Sequence, residues 1–208
     1  MCSILRINFI RVLGISIFTL LLFSSVMFAD SRPIQIALMN PVQLFPEDVS
    51  ITGIRINLLY GKNASLKGLD WGLVNHLTAP SLGIQFGIAA IVESDFTGWQ
   101  DNWVNYTQDH FKGLQSGLVN YIRDGSGMQW GIANYSEDMK GLKLGLFNYT
   151  EIGSGLQWGF INYAERMNGL MLGFLNYAES MKGIQIGVVN MIRQGGQFPV
   201  FPIVNWSF

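Results

Sequence analysis

Cysteine is almost missing from this chain. Its one copy, Cys2, precedes a long apolar run, so no disulfide can form within the chain that follows. Charge is scarce too: 13% of residues are Asp, Glu, Lys or Arg against 49% hydrophobic ones, less than a solvated surface usually carries. The 13 basic and 14 acidic residues leave a net charge of -1 and no basic patch, which sets nucleic acid aside as a partner. Only two histidines occur, His76 and His110, each alone in or beside a polar turn. No His/Cys cluster has ligand spacing and no Ser, His and Asp set stands out, so the sequence names no catalytic residue, metal ligand or cofactor. Six prolines against 24 glycines, with abundant aromatic and β-branched residues, exclude a disordered chain.

What the chain does hold begins with an export pattern. Arg6 and Arg11 precede the uncharged apolar run Val12 to Phe28, and Met27-Phe28-Ala29 has the small residue expected at a cleavage site. The expected organisation is a signal peptide over 1–29 and one β repeat domain over 30–208.

That domain is one phrase said many times. Units start at Pro33, Gly53, Gly68, Gly83, Gly98, Gly113, Gly127, Gly141, Gly155, Gly169, Gly183 and Phe198, mostly 14 or 15 residues apart. With the opening glycine as position 0, positions 1, 3, 5 and 6 are apolar, position 2 is commonly glutamine and position 4 is mostly a second glycine. Position 7 is asparagine in ten of the twelve units, and position 8 is tyrosine in six consecutive ones, Tyr106 to Tyr177. A polar turn follows, in which Glu137, Glu151, Glu165 and Glu179 recur as solvated acids and Met139, Met167 and Met181 as turn-packing residues. Apolar positions do not recur at i, i+3, i+4, i+7, so each unit reads as one strand and a turn. The Gly-x-x-x-Gly spacing therefore marks no helix dimer.

Strict alternation would carry the asparagine onto the apolar face. One phase shift, placed at the position-4 glycine as a bulge in the left-handed region, puts positions 1, 3, 6 and 8 on one face and the amides on the other. It leaves position 5, as at Leu146 and Phe160, on the amide side.

Two folds fit. The expected one is all-β, a twelve-unit antiparallel meander closed into a membrane β-barrel. Nine residues of about 3.3 Å each, tilted by about 40°, match the height of an outer-membrane barrel wall, and tyrosine near strand ends supplies aromatic girdles. The lumen would be lined by Gln85, Gln115, Gln129, Gln157 and Gln185, and by Asn105, Asn120, Asn134, Asn148, Asn162, Asn176 and Asn190. Val204, Trp206 and Phe208 close the chain in a pattern that resembles the sorting signal of outer-membrane barrel proteins. The partners so implied are outer-membrane lipid, the barrel-assembly machinery and small polar solutes, and the function is a structural or weakly selective, non-enzymatic channel. The alternative is a β-solenoid with one coil per 14–15-residue repeat, which stacks asparagine on asparagine and reads as a cell-surface binding or interaction protein.

The run GLQSGLVNY, GMQWGIANY, GLKLGLFNY, GLQWGFINY, with RINLLYGKN near its start and FPIVNWSF at its close, resembles an uncharacterised family of exported bacterial surface-repeat proteins. The resemblance covers residues 33–208. It implies association with the outer membrane or cell surface, and it carries no catalytic residue or ligand.

Overall fold

A computed structural model describes residues 31–208. The signal peptide expected over 1–29 lies outside the described residues.

The chain forms strands β1 (Ser31–Met39), β2 (Val42–Gln43), β3 (Ser50–Asn63), β4 (Leu66–Leu77), β5 (Ser81–Val92), β6 (Phe96–Gln194) and β7 (Val200–Ser207). They lie in one sheet in the order β2-β1-β3-β4-β5-β6-β7. Strands β3, β4, β5 and the start of β6 pair in parallel, one repeat out of step, with Gly53 opposite Gly68, Leu69 opposite Ile84 and Gln85 opposite Gln100. A barrel meander needs antiparallel neighbours. The expected barrel is therefore corrected to its alternative, a β-solenoid of stacked parallel coils, and the barrel and channel readings fall with it.

Beyond residue 96 the backbone stays extended through every coil, so β6 is one winding strand of 99 residues. The opening glycines mark its pitch. Gly53, Gly68 and the eight that follow to Gly183 all have φ between 122° and 154°, a region that L side chains rarely adopt. A Cβ on Gly141 would lie 2.0 Å from the Gly127 carbonyl oxygen, and one on Gly155 would lie 2.2 Å from that of Gly141. The unusual backbone thus sits at position 0. The position-4 glycines share the close approach without the positive φ: a Cβ on Gly145 would meet the Gly131 oxygen at 2.3 Å and Asn134 Nδ2 at 2.6 Å. The expected bulge is replaced by a corner where coils approach too closely for a side chain.

Ten units stack as coils, β1 of the first unit lies beside β3, and the last unit departs from the stack. The first opens an antiparallel hairpin between β1 and β2, with a cis Asn40–Pro41 peptide. The last, β7, runs antiparallel to the end of β6, pairing Ile186 with Val204 and Ile184 with Trp206. Pro202 falls in the register shift between Gly187 and Asn190, where a missing donor is tolerated.

The interior is narrow and in two apolar sections. Ile51, Leu66, Leu77, Val92, Phe96, Phe111, Ile122 and Met139 form one cluster; Ala164, Met167, Met171, Ala178, Met181 and Ile192 form the other. Most stand two residues before the opening glycine or nine after it, at the edges of the expected turn. Met139, Met167 and Met181 are accordingly core residues, and the expected polar turn is extended backbone whose flanking side chains point inward.

Candidate functional site

Amides fill the space between the arms of each coil. Every glutamine and asparagine expected to line a lumen is buried, at no more than 2% exposure. Asn105, Asn120, Asn134, Asn148, Asn162, Asn176 and Asn190 form one unbroken ladder, each Nδ2 donating to the Oδ1 of the next at 2.8 Å. The same Nδ2 groups also donate to the position-3 carbonyl of the following coil, as Asn148 does to Trp158 at 3.1 Å. Gln100, Gln115 and Gln129 each donate to the glutamine one coil before. Gln129 and Gln185 cross to the opposite arm, to the Tyr135 and Met191 carbonyls. The asparagine column joins each coil to the next, and with the glutamines buried beside it the arms close on one another instead of enclosing an open lumen.

Position 2 of the stacked coils carries four departures from glutamine that alter the interior. Arg55 and Asp70, on adjacent coils and fully buried, form a two-point ion pair: Nε to Oδ1 at 2.8 Å and Nη2 to Oδ2 at 2.6 Å. Asn57 and Gln85 donate to the same carboxylate, and Arg55 Nη1 donates to the His76 carbonyl, so both charges are well bonded. Lys143 is buried, and among the described residues no carboxylate pairs with it. It donates to Ser136 Oγ and the Tyr149 carbonyl, and burial pushes its ammonium well below the usual lysine range. Met171 is the fourth, accepting a weak bond from Gln185. Sequence spacing held the signal for all four, since each replaces glutamine in a column.

The outer surface is unusually apolar. Trp71, Trp103, Trp130 and Trp158 are about 60% exposed or slightly more, and Leu146 and Phe160 are more than half exposed. Position 5 therefore faces out with position 6, correcting its expected place among the amides; the corner at position 4 turns both outward. The tyrosines do not alternate between two rims. Tyr106, Tyr121, Tyr135, Tyr149, Tyr163 and Tyr177 stack in one row, ring centroids 4.8–5.1 Å apart. Four of the six hydroxyls meet the recurrent acids, as Tyr121 does in donating to Glu137 at 3.0 Å and Tyr135 in donating to Glu151 at 3.2 Å. Desolvation, followed by that hydrogen bond, pushes both phenols up to about 12.

The remaining expected residues fall apart from one another. Val204 and Trp206 lie partly buried in β7, and Phe208 is 90% exposed beyond it. His110 sits 3.4 Å from Asp124 at the turn edge. His76 is less isolated than its sequence suggests: Nδ1 meets the Tyr60 hydroxyl and Nε2 meets Glu93, both at 2.7 Å. These three come from successive coils, so the period brought them together. Asp101, at the outer face, accepts from Ser116, and Asn102 turns inward to donate to Asn105. No group of His, Cys, Asp and Glu able to hold a metal occurs among the described residues.

Comparison with protein-family models, curated proteins and solved structures finds no match to this chain.

Proposed function

We propose that the chain is an exported, non-enzymatic surface-interaction protein whose β-solenoid presents ordered rows of aromatic and aliphatic side chains to a partner. The observation that supports this reading is the distribution of side chains across the coil: hydrogen-bonding amides inward, large apolar groups outward. Folding normally buries the apolar set, and an exposed apolar surface of this extent marks contact with something else. The outward rows repeat at every coil, so they suit extended or repetitive contact better than one small pocket.

Localisation is the direct test. An epitope-tagged chain expressed with its own leader should be cut by protease added to intact cells and labelled by an antibody that cannot cross membranes. Protection until the cells are lysed would refute the reading.

A further inference from the structure

The tyrosine row borders a trough. Between Tyr121, Tyr135, Tyr149 and Tyr163 on one side and Val119, Ala133, Phe147 and Ile161 on the other lies an open cavity of about 360 Å³. It runs along the stacking direction over four coils, three spacings of about 4.8 Å, or roughly 14 Å in all. Ala133 is the smallest of the wall residues, so the trough is deepest at its coil.

The walls specify a chemistry. Neighbouring tyrosine rings along the trough lie within 8° of parallel, so their faces are taken by one another and their edges form the wall. Those exposed edges form a continuous surface on which a planar ligand can pack by dispersion. The opposite wall is apolar. At the hydroxyl end of the rings stand Glu137, Glu151 and Glu165, each accepting from a tyrosine. Among the described residues no ion pair involves these three acids, whereas Glu179 is paired with Arg193. The rim therefore carries a row of like charge at coil spacing, next to a slot shaped for a flat, extended molecule.

We propose that this trough is a binding site for a flat aromatic cation, lying along the solenoid with its π face on the tyrosine edges and its positive charge on the Glu137–Glu151–Glu165 row. The parallel apolar walls select a planar ligand; the carboxylates select its charge. The site does not depend on where the protein resides, so it stands or falls separately from the surface-interaction reading.

Thioflavin T, a planar cationic benzothiazole, is the probe. Titration into the purified chain should give a saturable rise in dye fluorescence that weakens with added salt. Ala133→Leu fills the trough from an outward position where larger residues already stand on neighbouring coils. It should weaken binding by at least about tenfold, with an unchanged far-ultraviolet circular dichroism spectrum. Glu151→Gln, which keeps size and removes charge, should weaken it by about twofold to fivefold. Absence of saturable binding would overturn the proposal, as would an Ala133→Leu protein that folds and binds normally. So would an anionic planar dye that competes equally for the same site.

Discussion

Asn148 donates to Asn162 at 2.8 Å across adjacent coils, and the identical bond recurs from Asn105 to Asn190. A ladder of this kind requires parallel strands in register, and it sets the amide inside while the apolar Phe147 beside it faces out.

Asn148→Ala removes one rung, leaving Asn162 Oδ1 and the Trp158 carbonyl without their donor. Each orphaned buried group costs about 1–3 kcal/mol, so a loss of about 2–4 kcal/mol is expected in urea unfolding. Phe147→Ser, next in sequence but half exposed, should change stability by less than about 1 kcal/mol. A larger loss at Phe147 than at Asn148 would contradict the inside-out organisation.

The buried Arg55–Asp70 pair should respond as a unit. Asp70→Gln leaves an uncompensated guanidinium in the interior and should destabilise by about 3–5 kcal/mol. Adding Arg55→Gln restores a column of glutamine from residue 35 to residue 129 and should recover most of that loss. A double-mutant cycle measures the coupling; additive losses would show that the two residues act independently.

Lys143 predicts a rise of stability with pH. Its ammonium is held well below the usual range by burial, whereas the unfolded chain takes up the proton near the ordinary lysine value. Between those two values the unfolded state binds more protons, so raising pH stabilises the fold. Lys143→Gln, which matches Gln129 and Gln157 in its column, should be more stable than the natural protein at pH 7. Urea midpoints measured from pH 7 to 10 should rise for the natural protein and stay flatter for the variant.

The tyrosine row predicts the opposite trend at higher pH. Tyr121 and Tyr135 are pushed up to about 12, mainly by desolvation and then by their bonds to Glu137 and Glu151. Their contribution is intact below pH 10 and is lost as pH climbs towards 12, because the unfolded chain releases its phenolic protons first. Absorbance titration at about 295 nm should show phenolate forming late. Glu151→Gln should bring Tyr135 down; an unchanged titration curve would exclude the carboxylate as a cause.

Much of this arrangement was legible in the chain. Glycine, glutamine and asparagine at fixed places gave the period, the extended conformation and a shared face for Gln157 and Asn162. Strand direction was not, because an apolar outside and an amide inside describe a barrel wall and this solenoid equally well. The deciding relation, Asn148 against Asn162, is a contact between coils that the period allows and does not compel. Nor could the sequence say which glycine bears the unusual backbone: Gly141 and Gly145 both stand at recurrent positions and both press on the coil before them, but only Gly141 has a positive φ. The acids met their partners unseen for a related reason. Tyr135 and Glu151 are sixteen residues apart, and only stacking converts that distance into a hydrogen bond.

The reversal at β7 sets a limit on how far the pattern can spread. A run of parallel coils joined by identical amide ladders is chemically close to cross-β fibrils, in which each strand templates the next. An edge that continued the run would invite another copy to dock in register. Strand β7 instead presents the opposite polarity, with Pro202 withholding one donor and Pro199 another just before it. On that side the molecule can carry a fibril-like interior without offering a neighbour the template to extend it.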